Sequence, residues 1–151
     1  MAAISLDSPV GPLAVIADQG AIVSVDWHHV DHPEPTPELE EARKQLLAYF
    51  GGTLTEFDLP LRVDASEFQQ QVCDRIYAIP FGETCTYGDI AKDLNVPAQA
   101  VGSGCGGNPI PIIIPCHRVL GAANLGGFSG KGGVEAKVWL LKHEGAAGLL
   151  I

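Results

Sequence analysis

Cys116 is followed at once by His117 and Arg118, and the isoleucine run 112–114 leads into it through Pro115. A cysteine attacks as its thiolate, so a nucleophilic thiol needs a nearby base or cation to draw its pKa below the free value of about 8.5. His117 is adjacent, but adjacency alone does not pair the two. Neighbours on a strand point to opposite faces, so either a chain turn or a relayed proton is required. The competing reading is a buried, inert thiol, the usual fate of a free cysteine. A catalytic base also needs an orienting carboxylate. Glu144, which ends "KHE" before Gly145, is the candidate. A carboxylate at a helix C-terminus opposes the macrodipole by about 0.3–1 kcal/mol. Its position therefore needs a reason, although a solvated glutamate is the plain alternative. Arg118 reads as structural, paired with a carboxylate or backbone group behind the thiol.

The remaining cysteines give no metal pattern. Cys73, Cys85, Cys105 and Cys116 stand 12, 20 and 11 residues apart, without a CxxC pair, so shared zinc is not expected. Cys73, Cys85 and Cys105 read as small core or near-site residues, with Cys105 on an accessible face. His28, His29 and His32 cluster in an acidic loop and read as solvated.

Two units must position these groups, residues 1–63 and residues 64–151. Of the 151 residues 46% are hydrophobic, enough for a packed core and against disorder. Net charge is −9, which by itself argues against a nucleic-acid partner. Its distribution weakens that objection: residues 1–63 hold 10 acids and 3 bases, residues 64–151 hold 8 and 6. No apolar run reaches membrane-spanning length and no export signal opens the chain. Reduced thiols in a cytoplasmic protein are the expectation.

The first unit reads as an antiparallel meander, then a helix capped by Thr36 with Pro37 at its first position, then a short edge strand in "EFDLPLRV". The second opens with a helix from Ser66, where Ser66 and Gln69 fit a capping box. A helix–turn–helix follows, from about Thr86 to Leu94 and from Pro97 to Gly106. Its second helix is nearly all Ala, Gly, Ser and Val, which suits close approach of another surface. The isoleucine run reads as a core strand carrying Cys116. In the last helix Val138 and Leu141, with Leu140, face inward, and Lys137 and Lys142 lie on the flanks. The fold class is α+β: a small sheet-plus-helix domain, then a mostly helical domain with a winged-helix-like helix–turn–helix.

"FQQQVCDRIYAIPFGETCTYGDIA", "NPIPIIIPCHRVLG", "GGFSG" and "KVWLLKHEG" resemble the methylated-DNA–protein-cysteine methyltransferases, the O6-alkylguanine-DNA alkyltransferase family, over most of residues 66–145. The resemblance implies a one-turnover DNA repair protein that needs no metal or cofactor, a monomer whose partner is double-stranded DNA carrying O6-alkylguanine. Base flipping brings the lesion to a pocket, and Cys116 takes the alkyl group in an S_N2 step. By the same resemblance His117 relays the thiol proton through water, Glu144 orients His117, Tyr87 donates to the guanine ring and Asn108 holds the Cys-bearing segment. Val119, Phe128 and Ser129 contact the base. Thr86, Ala98, Gln99, Ala100, Gly102 and Ser103 face the DNA.

The family usually carries an arginine where this chain has Gln99, and the recognition helix has no positive charge. Fewer phosphate contacts mean weaker duplex binding with a shallower salt dependence. Two alternatives follow: the same chemistry on a non-duplex or small-molecule alkyl donor, or a lesion-binding protein without transfer, which the retained Cys116 disfavours.

Overall fold

Gln19 and Gly20 both adopt left-handed backbone, φ +50° and +81°, as a two-residue hairpin turn requires. They join strand β2 (Leu13–Asp18) to β3 (Ala21–Asp26), and β1 (Ala2–Leu6) pairs on the other side of β2, in an antiparallel meander of order β1-β2-β3. A register shift at Ile16/Ala17 bends β2 against β3. Helix α1 (Pro37–Phe50) is capped by Thr36 Oγ1, which accepts from the Leu39 amide. Leu39, Ala42, Leu46 and Tyr49 form its buried face, and Leu13, Ala14 and Val15 are buried on β2. The computed structural model describes residues 1–128 and 133–148. The chain divides into two compact units, Met1–Asp64 and Ala65–Ile151. The expected strand in 56–63 is reduced to one parallel bridge, Ile22 with Leu61. Its two hydrogen bonds flank Ile22, and Pro60 has no amide to extend the ladder.

The second unit is helical around a two-stranded parallel pair. Its elements are α2 (Glu67–Tyr77), β4 (Cys85–Thr86), α3 (Tyr87–Leu94), α4 (Ala98–Gly106), β5 (Val119–Leu120) and α5 (Gly133–Glu144). Ser66 caps α2, but only half of the expected capping box forms. Gln69 Nε2 instead donates to Gly104 O, 2.7 Å away on α4. Thr86 and Asp89 make a full capping box at α3. Asn95, left-handed at φ +55°, ends α3 and turns the chain into α4. Gly104 lets α4 close on α2, since a Cβ there would sit 2.9 Å from Val72.

The isoleucine run does not form a strand. Ile114 N donates to Ile110 O at 2.9 Å, so residues 110–114 fold back on themselves. Ile112, fully buried, takes φ +74°. Cys116 follows in a 3-10 turn, Cys116–Arg118, and β5 begins only at Val119. The strand preference of a β-branched run yields here to burial of all three isoleucine side chains.

Candidate active site

Asn108 builds the platform for the thiol. Its Oδ1 accepts from Ile110 N at 3.0 Å, and its Nδ2 donates to Ile114 O at 2.9 Å, clasping both ends of the 110–114 turn. Ile114 O also accepts from Cys116 N at 2.8 Å. The next two side chains are then driven into the interior, with His117 wholly buried and Arg118 nearly so.

Both meet Glu144, the last residue of α5. Arg118 donates through Nε to Oε1 at 2.8 Å and through Nη2 to Oε2 at 3.0 Å, and its Nη1 donates to Ile79 O at 2.6 Å. His117 Nε2 lies 2.7 Å from Glu144 Oε2. A carboxylate forked by a guanidinium stays ionised and can only accept. His117 Nε2 therefore carries the proton, and Nδ1 is left as a bare acceptor. Nδ1 is buried and has no hydrogen-bond partner among the described residues. Burial pushes the His117 pKa below the usual 6.5, and the hydrogen bond to Glu144 offsets only part of that shift. A neutral imidazole beside a thiol, with its second nitrogen oriented by a carboxylate, is equipped to act as a general base.

In front of Cys116 is a cavity of about 540 Å³ lined by Tyr87, Gly102, Cys105, Gly106, Cys116, Gly127 and Phe128. The Thr86–Asp89 box starts α3 at Tyr87 and so fixes where that ring stands. Gly126, at φ +69°, packs against the ring, and a Cβ there would lie 2.5 Å from the Tyr87 hydroxyl. Burial raises the Tyr87 pKa, a shift increased by nearby Cys105 and opposed by a backbone hydrogen bond from Gly127. The phenol is therefore protonated and available as a donor.

Lys137 completes the enclosure. It is fully buried in α5, its Nζ donating to Val119 O at 2.7 Å and Gly127 O at 2.8 Å, 5.8 Å from the Tyr87 ring centroid. One ammonium thus ties β5 to the loop that forms the cavity wall. Burial lowers its pKa, and the nearness of Cys116 and Cys105 works in the opposite direction.

Residues 67–146 match the family described as 6-O-methylguanine DNA methyltransferase, DNA binding domain, and residues 1–63 match its ribonuclease-like domain. The chain belongs to the 6-O-methylguanine DNA methyltransferase family. A methylated-DNA–protein-cysteine methyltransferase of Methanosarcina acetivorans is 40% identical, covering 93% of this chain and 96% of its own. One from Mycobacterium leprae is 44% identical, with 93% and 90% covered. The crystal structure of Mycobacterium tuberculosis OGT in complex with DNA superposes with a TM-score of 0.84 at 41% identity, covering 95% of this chain and 92% of that one.

Within this methyltransferase family member the expected residues fall into three groups. Cys116, His117, Glu144, Tyr87 and Asn108 converge on one site through the contacts above. Val119 is buried in β5, where it pairs with Cys85, and Phe128 lines the cavity. Ser129 lies outside the described residues. On the outer side Ala98, Gln99 and Ser103 are exposed on α4, Ala100 is half-buried, Gly102 belongs to the cavity wall and Thr86 is held as the α3 cap.

Three expectations change. Lys137 is not a flanking lysine but the buried clamp just described. The stretch 136–141 buries Ala136, Lys137, Leu140 and Leu141, whereas Val138 is half-buried. Cys105 is not accessible but 6% exposed in the cavity wall. Sequence reasoning missed Lys137 because a lysine between apolar residues reads as a helix flank. The signal for it was the Gly-rich loop, whose backbone carbonyls need a donor. His28, His29 and His32 are exposed, and the described residues contain no cluster able to hold a metal ion. No helix among the described residues is long and apolar enough to cross a membrane.

Proposed function

We propose that this protein repairs DNA by transferring the alkyl group of an O6-alkylguanine to Cys116 Sγ, once and irreversibly. The observation that carries this reading is the buried Arg118–Glu144–His117 chain, which leaves a bare imidazole nitrogen behind a thiol that opens onto a base-sized cavity. His117 Nδ1 takes the Cys116 proton, through a water as the family resemblance implies, while Glu144 stabilises the imidazolium as it forms. Sγ attacks the alkyl carbon, the S–C bond forms and the C–O6 bond breaks. Tyr87, protonated at neutral pH, donates to the departing guanine ring. Lys137 adds a positive charge in a low-dielectric wall, where fixed charge acts strongly on a developing anion. Asn108 keeps the thiol in place, Val119, Phe128 and Ser129 contact the base, and the reaction needs no cofactor.

In this reading residues 64–151 are the alkyltransferase and DNA-binding domain, and residues 1–63 the N-terminal domain of a cytoplasmic monomer. Thr86, Ala98, Gln99, Ala100, Gly102 and Ser103 face double-stranded DNA, and flipping the lesion costs a few kcal/mol of unstacking. The uncharged α4 favours one second reading, the same transfer from a non-duplex donor.

Intact-mass measurement after incubation with a duplex containing O6-methylguanine tests the proposal. One added methyl group on wild type, mapped to Cys116 and absent from Cys116→Ser, is the expected outcome. An adduct from O6-alkylguanine free base but none from duplex would select the second reading, and no adduct from either would exclude both.

A further inference from the structure

Helix α4 holds itself poorly. Three of its nine residues are glycines, the weakest helix formers short of proline. Pro97, at its N-cap, supplies no side-chain hydrogen bond. Its last carbonyls need donors from outside the helix. An intrahelical bond to Gly104 O would come from the amide four residues on, that of Asn108. Asn108 N donates instead to Cys105 O at 3.3 Å.

Gln69 on α2 supplies the missing donor. Its Nε2 reaches Gly104 O at 2.7 Å, and its Oε1 lies so close to Gly107 that a Cβ there would stand 2.6 Å away. The same Nε2 also donates to Cys73 Sγ at 3.4 Å, one turn further along α2. Cys73 is buried, and burial raises its pKa against the opposing hydrogen bond from Gln69. The thiol therefore keeps its proton and donates to Asn108 Oδ1, 3.9 Å away, a long contact because a thiol is a weak donor. Asn108 in turn clasps the 110–114 turn that leads to Cys116. One amide on α2 thus bears on two structures. It acts directly on the helix whose Gly102, Cys105 and Gly106 wall the cavity, and through Cys73 on the turn that aims the thiol. Neither Gln69 nor Cys73 lines the cavity itself.

Resting on the transfer reading above, we propose that Gln69 is a positioning residue for that transfer: it fixes α4 against the Asn108 clasp, so that a base seated on the α4 wall meets Cys116 Sγ in line. The reactivity of the thiol comes from His117 and Glu144 and does not pass through Gln69. What Gln69 sets is alignment, and a displacement of about 1 Å can cost about a hundredfold in rate.

The full-length protein and its Gln69→Leu and Gln69→Glu variants, both without the Nε2 donor, are given two reagents in separate reactions. One is a duplex containing O6-methylguanine at saturating concentration, whose lesion must be aligned with the thiol. The other is iodoacetamide, a small electrophile that needs only a thiolate. Adducts at Cys116 are mapped and timed by mass spectrometry. In both variants the ratio of the methyl-transfer rate to the iodoacetamide rate falls at least about tenfold, with the iodoacetamide rate close to that of wild type. Cys73→Ala removes only the route to Asn108 and lowers the ratio by less. Because the ratio is internal to each variant, a loss of folded protein does not move it. A ratio unchanged in both Gln69 variants overturns this inference and leaves the transfer reading standing. An equal fall in both reactions does the same, since it marks a merely structural role. An unchanged ratio in Cys73→Ala overturns the route through Cys73. No methyl adduct on wild type, with iodoacetamide still reacting, overturns the transfer reading and this inference together.

Discussion

The two sides of Cys116 are built from opposite materials. Behind it, His117, Arg118 and Glu144, joined to one another, and Lys137, bonded to the Val119 and Gly127 carbonyls, are all withdrawn from water, with hydrogen bonds between 2.6 and 3.0 Å long. In front, α4 carries no charged residue, and a Cβ at its Gly102 or Gly106 would meet nothing within 4 Å. Burying ions is costly unless each is paired and hydrogen-bonded, so the rear wall tolerates little change. The front wall is made of small groups that can change without stranding a polar atom. In the proposed reaction the fixed charge serves the chemical step.

The contrast predicts how unequally the two sides respond to substitution. Glu144→Ala should have the largest effect. It strands two buried bases and should cost about 3–5 kcal/mol, read as a lower denaturant midpoint, with loss of transfer. A loss below 1 kcal/mol would mean that the rear wall is not tightly coupled. Lys137→Met comes next. It leaves the carbonyls of Val119 and Gly127 without their donor, at about 1–3 kcal/mol, and should slow transfer more than Cys105→Ala does. Equal rates for those two variants would erase the distinction between the walls.

Acid should reach the rear wall before the front. The folded state holds His117 below its unfolded pKa of 6.5, with Glu144, Arg118 and Lys137 as the charged groups around it. The unfolded chain therefore binds a proton that the folded chain refuses. The stability from His117 is complete above about pH 6.5 and falls as the pH drops below that value. Chemical denaturation at pH 7 and pH 5.5 should show this slope, and His117→Phe should remove that part of it. The smallest effect belongs to the front. Gln99→Arg, at an exposed position, should leave stability within about 0.5 kcal/mol and steepen the salt dependence of duplex binding by about one. Anisotropy titrations with Cys116→Ser as the shared background would measure it.

Local rules made much of this legible in advance. Thr36 and Ser66 cap the helices expected of them, α3 begins beside Thr86 as expected, and α4 spans the small-residue stretch. What escaped was decided by distant partners. The isoleucine run has every local mark of a strand, yet Asn108 clasps it into a turn. Gln69 has the spacing of a capping box, but a carbonyl on α4, 35 residues away, takes its side chain. Lys137 reads as a surface lysine because its partners, Val119 in β5 and Gly127 in a loop, lie 18 and 10 residues away. The pairing of Arg118 with a carboxylate or backbone group was foreseen in kind, and the structure supplies both in Glu144 and Ile79.

Ile112 ties reactivity to the integrity of the whole domain. A β-branched residue in left-handed backbone is held against its preference by about 1–2 kcal/mol, and complete burial of its side chain returns about 1.5–3 kcal/mol. The conformation therefore lasts only while the surrounding core stays closed. Four residues further on, the thiol inherits that dependence. A loosened core would let the turn relax and swing Cys116 off its bearing before the chain unfolds, so the protein should fall chemically silent at temperatures where its helices still persist.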